Sequence, residues 1–164
     1  MPYSIADLNK MSQAEFVAAV GAVFEDTPAI ATQAWALRPF VDVADLHQKM
    51  LSVVQRLNPA EELALICAHP DLGSRLKMAE ASVQEQTGAG LDRLSPAEFD
   101  RFQQLNQRYK AKFGFPFIIA VRNHTKTSIL EAFDRRLQHS IEAERHQALA
   151  EISNIAWLRL QGLI

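Results

Sequence analysis

Cysteine is nearly absent from this sequence, whose 164 residues include only Cys67. A single cysteine excludes an internal disulfide framework and a zinc site built from several cysteines. A basic surplus is missing as well, because 17 lysines and arginines are balanced by 19 aspartates and glutamates, for a net charge of −2. Proteins that bind nucleic acids usually present a basic face, so this balance argues against a nucleic-acid partner.

Long apolar runs are also missing. None approaches the roughly 20 residues that a helix needs to span a bilayer, and residues 1–4 do not resemble the basic start of a signal peptide. Residues 160–164 do not form a peroxisomal tripeptide. We therefore expect a cytoplasmic protein with no membrane partner. Hydrophobic residues make up 48% of the chain, which is enough for a sizeable core.

Signals for helix starts, by contrast, are frequent. Ser12, Asn58 and Ser95 are each followed three residues later by a glutamate, the spacing of a capping box. Pro59 and Pro96 occupy the first helical position after two of these caps. Apolar residues follow at helical spacing. Further helix starts are predicted at Thr27, Asp42, Thr125 and Ser140.

One apolar run, residues 115–121, has a composition typical of a β-strand. It contains Pro116 near its start and has no hairpin partner, so we interpret it as a buried extended segment or as a helix start after Pro116. No strand pair is predicted. The expected fold is all-α, a single-domain irregular bundle of about eight helices that spans residues 1–164.

The first candidate for chemistry is His69, which follows an apolar helical run and precedes Pro70. A residue before proline is pushed out of the α region, so the helix should end here, and Asp71 and Gly73 indicate a turn. An imidazole at a helix C-terminus lies near the negative end of the helix dipole, which raises its pKa and suits it to proton donation. Burial against the apolar helix would lower the pKa instead, and the sequence leaves both effects open. The alternative is a helix C-cap with no chemical role.

The second candidate is the segment that contains Ser82 and Glu85. Their spacing predicts a capping box, which would place Glu85 in the first turn of a short helix, where the dipole favours an ionised carboxylate. Gln84, Gln86 and Thr87 make this helix polar, so it has little to contribute to a core. A cap with no further role is the alternative interpretation.

Arg159 lies on the apolar stripe of the last predicted helix, where a guanidinium needs a partner. Either an internal salt bridge or the carboxylate or carbonyl of a ligand could supply that partner. Arg122, which follows the apolar run, has the same two interpretations, and the salt bridge is favoured.

A metal site and a cysteine nucleophile are only weakly indicated. His69, Asp71, Glu85 and His124 lack the paired spacing of metal ligands within one helix. Cys67 and His69 are two residues apart at a helix end, where side chains diverge. We therefore predict no metal.

Several short motifs follow one another along the chain in this order: AHPDL at 68–72, SVQEQ at 82–86, AGL at 89–91, LSP at 94–96, FGFPFI at 113–118, HTK at 124–126 and RL at 159–160. Together they resemble the OHCU decarboxylase family (2-oxo-4-hydroxy-4-carboxy-5-ureidoimidazoline decarboxylase) of uric acid breakdown. The resemblance covers essentially the whole chain. Its departures from the family pattern are modest and include residues 73–78, in a loop that varies within the family.

The resemblance implies an all-helical homodimer that uses no cofactor and converts OHCU to (S)-allantoin and CO2. It implies a catalytic histidine at His69 and an essential carboxylate at Glu85. The substrate contacts that it implies come from Pro70, Ser82, Val83, Gln84, Glu85, Gln86, Phe117, Ile118, Ile119, Ala120, Val121 and Arg159. The chain shows no sign of the hydrolase domain that is fused to plant members, which implies a stand-alone bacterial form.

Two other classes of function are compatible with the same residues. One is a module that binds a ureide or small anion without turning it over. The other is a helical interaction protein. His69 and Glu85 would be dispensable in an interaction protein, and OHCU would decay at its spontaneous rate in the presence of a pure binder.

Overall fold

A computed structural model describes residues 2–74 and 79–164, so residues 75–78, which belong to the predicted variable loop at 73–78, lie outside the described part. Within those two ranges the chain forms nine α-helices and two 3-10 helices, with no strand. The α-helices are α1 (Ile5–Lys10), α2 (Gln13–Val20), α3 (Ala29–Trp35), α4 (Val43–Gln55), α5 (Pro59–Cys67), α6 (Glu80–Gly88), α7 (Pro96–Phe113), α8 (Lys126–Arg136) and α9 (Ile141–Leu163), and the 3-10 helices are Gly21–Val23 and Val121–Asn123. The predicted all-α class is confirmed. None of the described helices is both long and apolar enough to cross a lipid bilayer.

The capping signals mark helix starts where the sequence predicts them. Ser12, Asn58 and Ser95 each accept a hydrogen bond from the backbone of the glutamate three residues on, and that glutamate bonds back to the cap. Such a cap typically contributes about 1 kcal/mol to helix stability. Gly114 ends α7 in the left-handed conformation, with φ of 80°, which a residue with a Cβ adopts only with strain.

The predicted cap at Thr27 is wrong by one residue. Helix α3 begins at Ala29 with Pro28 as its cap, and no side chain caps it. The hydroxyl of Thr27 instead donates a hydrogen bond to the carbonyl of Glu25 at 2.7 Å, so it is turned towards the preceding loop.

The chain divides into two compact units, of which the first comprises Met1–Ala68 and Ser153–Ile164. Within it, α3 packs against both α2 and α4. Phe16, Leu46 and Met50 are fully buried, and the ring of Phe16 stacks on that of Phe40 with centroids 5.6 Å apart. Burial of each such side chain contributes about 1.5–3 kcal/mol relative to leaving it exposed.

The second unit, His69–Ile152, contains α6, α7, α8 and the first half of α9. Its core is aromatic: Phe117 stacks on Phe133 with centroids 3.7 Å apart and meets the edge of Tyr109 at 5.2 Å. Residues 115–120 are buried among such rings and are not helical. The run is thus buried, as predicted, and it does not start a helix directly after Pro116, because the 3-10 helix begins only at Val121.

Candidate functional site

His69 lies just beyond the end of α5, as predicted. The helix stops at Cys67 and is capped by Ala68, because the proline at position 70 disfavours helical geometry in the residue before it. His69 is buried, with 8% of its surface exposed. It is the first residue of the second unit, which also contains α6, α7 and the apolar run at 115–121.

The turn that follows His69 is fastened to α6 by the side chain of Gln86. Its Oε1 accepts a hydrogen bond from the backbone N–H of Gly73 at 3.0 Å, and its Nε2 donates to the carbonyl of Asp71 at 3.4 Å. Gly73 has a φ of 68°, and a Cβ there would lie 2.8 Å from Leu94 Cδ1. The backbone conformation at this position therefore favours glycine, and a Cβ would in addition displace the terminal methyl of Leu94.

Helix α7 holds the same turn from a second direction. Asn106 is buried and donates from Nδ2 to the carbonyl of Leu72 at 2.9 Å, and Lys110 pairs with the carboxylate of Asp71 at 2.6 Å. Asn106 and Lys110 are four residues apart and so lie on one face of the helix. Side chains from two helices thus fix the backbone that leads away from His69.

Helix α6 buries a face that is entirely polar. Ser82, Glu85 and Gln86 are its buried residues, at the i, i+3, i+4 spacing of one helix face, and each has at most 8% of its surface exposed. Val83 and Gln84, which belong to the predicted substrate-binding segment, are exposed. Burying polar groups is unfavourable unless they are hydrogen-bonded, so a helix that buries no apolar side chain is poorly explained by core packing alone.

The predicted capping box at Ser82 and Glu85 is wrong. Helix α6 begins at Glu80, its cap is Ala79, and no side chain caps it. Ser82 is the third helical residue and Glu85 the sixth, so Glu85 lies in the second turn, where the dipole at the helix start has little effect. A guanidinium, that of Arg122, lies 3.9 Å from the carboxylate of Glu85.

The pair formed by Arg122 and Glu85 connects α6 with the 3-10 helix Val121–Asn123, against which α6 packs. The favoured salt-bridge interpretation of Arg122 is therefore confirmed. Its side chain is 44% exposed, whereas that of Glu85 is 8% exposed. Helix α6 is thus joined to the turn after His69 through Gln86 and to the end of the apolar run through Glu85.

Four backbone N–H groups of the apolar run at 115–121 are available as hydrogen-bond donors. Among the described residues, none accepts a hydrogen bond from the backbone N–H groups of Phe117, Ile118, Ile119 or Ala120, although all four residues are buried. Buried backbone N–H groups are almost always paired. Because residues 117–120 belong to a predicted binding segment, their N–H groups are suitable donors to the oxygens of a small polar ligand.

Arg159 lies in the first unit, in the C-terminal part of α9. Its Nη2 is 2.8 Å from Oε2 of Glu25, and its Nη1 donates to the carbonyl of Ala22 at 3.1 Å. Both members of this ion pair are buried. Of the two interpretations that the sequence leaves open, these contacts match the internal salt bridge, and a role of Arg159 in substrate binding stays a prediction.

The sequence patterns did not identify Asn106 or Lys110. Asn106 lies on the apolar stripe of α7 between Phe102 and Tyr109. A polar residue on a buried stripe is the available signal, because it must find a partner inside the protein. Lys110 is exposed and carried no such signal.

Comparison with known proteins gives a consistent result. The OHCU decarboxylase family profile matches residues 9–161. The 2-oxo-4-hydroxy-4-carboxy-5-ureidoimidazoline decarboxylase of Halalkalicoccus jeotgali is 44% identical over 160 residues, which cover 98% of this chain and 91% of that protein. The uric acid degradation bifunctional protein of Bacillus subtilis is 41% identical over 99% of this chain and 33% of its own length. A crystal structure of (S)-allantoin synthase is similar, with a TM-score of 0.78 and 32% identity over 99% of this chain and 54% of that one.

Proposed function

The chain belongs to the OHCU decarboxylase family, and we propose that it converts OHCU to (S)-allantoin and CO2, with His69 as the acid/base group and Glu85 as the carboxylate that orients the substrate. The observation that carries this assignment is the polar buried face of α6. Gln86 on that face is bonded to the turn after His69, and Glu85 beside it is paired with the residue after the apolar run.

The substrate can supply its own electron sink. Its carboxylate is attached to ring carbon 4, next to the C=N bond at carbon 5. When the bond to CO2 breaks, its electron pair forms a double bond between carbons 4 and 5, and the π pair of the C=N bond moves to the ring nitrogen, so the reaction needs no cofactor to hold the charge. The ring nitrogen and carbon 5 each gain a proton, and the hydroxyl on carbon 4 loses one to become the carbonyl of allantoin.

The protein then has to position the ring and move protons on one face of it. His69 acts on the substrate hydroxyl and on the developing enamine, as its burial beside the ordered turn supports. A positioned acid/base group contributes typically about 10²–10⁴-fold to the rate. Delivery of the proton to one face of carbon 5 accounts for a single enantiomer of allantoin.

Glu85 accepts hydrogen bonds from the N–H groups of the ureido substituent and so orients the substrate. The main-chain N–H groups of Phe117 to Val121 donate to oxygens of the ring, and Arg159 contributes a further cationic contact. The burial of Glu85, of residues 117–121 and of Arg159 supports a preorganised arrangement of these groups. Preorganised donors and charges stabilise developing charge without reorganisation during the reaction.

Three variants test these roles when the decay of freshly generated OHCU is followed by circular dichroism. His69→Ala should lower kcat/KM by about 10²–10⁴-fold, and Glu85→Gln by about 10²-fold. Arg122→Gln is the matched control: it removes the partner of Glu85 but keeps its carboxylate. The ion pair is weak, because its atoms are 3.9 Å apart and the side chain of Arg122 is 44% exposed, so the activity of Arg122→Gln should stay within roughly fivefold of the wild type.

Each contrary result has its own meaning. Full activity in His69→Ala removes the acid/base assignment, and equal losses in Glu85→Gln and Arg122→Gln make the ion pair, not the carboxylate, the important feature. A protein that binds (S)-allantoin but leaves OHCU to decay at its spontaneous rate would be a ureide-binding module instead of an enzyme.

We also propose that residues 1–164 act as one OHCU decarboxylase domain and that the protein is a homodimer. Size-exclusion chromatography with light scattering tests the second point. A mass of about twice the 18.4 kDa of one chain is expected, and a monomer at micromolar concentration would contradict it.

A further inference from the structure

Arg136 forms a buried bridge between a carboxylate and the main chain of the apolar run. Its Nε is 2.8 Å from Oε1 of Glu144, and its Nη1 donates to the carbonyl of Ile118 at 2.6 Å. The guanidinium carbon lies 4.2 Å from the centre of the Phe117 ring. The side chain of Arg136 is 3% exposed and that of Glu144 is fully buried.

Glu144 is itself held by two more side chains. The hydroxyl of Tyr109 donates to Oε1 at 2.5 Å, and Nδ1 of His139 lies 2.8 Å from Oε2. Burial, followed by the hydrogen bond to Glu144, raises the pKa of the Tyr109 hydroxyl well above its usual range, so it stays a donor throughout the physiological range. The carboxylate that orients Arg136 is therefore fixed on both of its oxygens.

The hydrogen bond to Ile118 determines the direction of the next N–H group. In a trans peptide the carbonyl of residue 118 and the N–H of residue 119 lie in one plane and point in opposite directions. Because Arg136 binds the carbonyl, the N–H of Ile119 must point away from Arg136. Among the described residues nothing accepts a hydrogen bond from this N–H.

We infer that Arg136 is a positioning residue of the decarboxylase site: by binding the carbonyl of Ile118, it directs the N–H of Ile119 towards the substrate. This inference rests on the proposed function, in which residues 117–121 contact the ring. The guanidinium suits the task because one planar group bonds a carboxylate and a carbonyl at the same time. Its Nη2 is buried and has no hydrogen-bond partner among the described residues, so the carboxylate and the Ile118 carbonyl are the acceptors that orient it.

A lysine could not reproduce this arrangement, because an ammonium on a flexible chain lacks the fixed fork of donors. Removal of Arg136 alone would leave Glu144 buried without its cation, and such a variant could fail to fold. The test therefore uses Arg136→Met combined with Glu144→Gln, which removes both charges, and Arg136→Lys, which keeps the cation. Tyr109→Phe is the matched control, since it removes one hydrogen bond to Glu144 and keeps both bonds of Arg136.

The readouts are the affinity for (S)-allantoin, the kinetics with freshly generated OHCU and the ¹⁵N–¹H signal of the Ile119 amide. In the wild type this signal should shift when (S)-allantoin is added. In the double variant we expect that shift to disappear and both the affinity and kcat/KM to fall at least about tenfold, while amides of α6 still respond. In Arg136→Lys the affinity, kcat/KM and the Ile119 shift should lie between those of the wild type and those of the double variant. Tyr109→Phe should retain the Ile119 shift.

The outcomes separate this inference from the proposed function. A folded double variant with wild-type affinity and a wild-type Ile119 shift would show that Arg136 only supports the core. If the double variant does not fold, Arg136→Lys with unchanged affinity and shift leads to the same conclusion. A wild type that is active but shows no shift at Ile119 overturns the inference and leaves the decarboxylase assignment intact. A wild type that neither binds (S)-allantoin nor accelerates OHCU decay overturns both.

Discussion

The side-chain amide of Gln86 accepts a hydrogen bond from the backbone N–H of Gly73 at 3.0 Å, across 13 residues of chain. Its other end donates to the carbonyl of Asp71. Gln86 therefore has both polar ends engaged with the turn that follows His69. Since Glu85 is its neighbour on α6, the same side chain helps to fix the two proposed catalytic groups relative to each other.

We predict that Gln86→Ala lowers both stability and activity. The buried N–H of Gly73 would lose its acceptor, which costs about 1–3 kcal/mol, and a displaced turn should reduce kcat/KM at least about tenfold. Urea unfolding and OHCU kinetics measure the two effects. Thr87→Ala, at an exposed position of the same helix, is the control. A raised KM with no loss of stability would indicate instead that Gln86 acts only by touching substrate.

A comparison of two glycines tests the turn itself. Gly73 and Gly114 both have a positive φ, of 68° and 80°. They differ in their surroundings: a Cβ at position 73 would lie 2.8 Å from Cδ1 of Leu94, whereas a Cβ at position 114 would have no neighbour within 4 Å. Gly114→Ala should therefore cost only the strain of the left-handed conformation, about 1–2 kcal/mol.

Gly73→Ala should cost more than Gly114→Ala in urea unfolding, because the backbone at position 73 is held by Gln86 and cannot relax its positive φ without weakening that hydrogen bond. If the turn beside His69 shifts to relieve this strain, kcat/KM should fall as well. Equal losses of stability in the two variants, with activity kept in both, would mean that the close approach to Leu94 is relieved without moving the turn.

Much of the fold was predictable because helix starts are encoded locally. A cap and its glutamate are three residues apart, so the signals at Ser12, Asn58 and Ser95 do not depend on the rest of the fold. The failure at Ser82 has a physical reason: a serine and a glutamate three apart share a helix face whether or not the serine is the cap.

The location of the candidate site was predictable, but its internal contacts were not. The turn after His69 and the polar helix around Glu85 stand out in the sequence. Their connections join residues 13 to 39 positions apart, such as Gly73 with Gln86 and Asp71 with Lys110. No local pattern specifies such pairs, because they depend on how the helices pack.

The buried pair of Glu25 and Arg159 allows the two interpretations of Arg159 to be separated. Loss of one partner leaves a buried charge uncompensated, so Glu25→Gln or Arg159→Met alone should cost about 3–5 kcal/mol. In the double variant Glu25→Gln with Arg159→Met, neither charge remains and most of the stability should return.

We expect the stable double variant to stay at least about tenfold below wild type in kcat/KM, because the cationic contact proposed for Arg159 is gone. Urea unfolding establishes the stability and the circular dichroism assay gives the kinetics. Wild-type kinetics in the double variant would limit Arg159 to its internal ion pair.

Glu98 links helix capping to acid stability. Hydrogen bonding to the backbone of Ser95, and then to Lys126, lowers the pKa of Glu98 below its ordinary 4.5 in the folded protein. A carboxylate with a depressed folded pKa stabilises the protein above its unfolded pKa, and this contribution is lost as pH falls through the folded value. The stabilisation from Glu98 should thus be complete at neutral pH and disappear below about pH 4.5.

Glu98→Gln keeps the capping hydrogen bonds, since glutamine also serves in a capping box, and removes only the charge. Its melting temperature should be lower than that of the wild type at pH 7, and the difference should shrink as pH falls towards about 3. Glu131→Gln, at an exposed position on α8, is the control and should follow the wild type throughout. A Glu98→Gln difference that stays constant from pH 7 to about 3 would mean that the carboxylate contributes through packing and not through its charge.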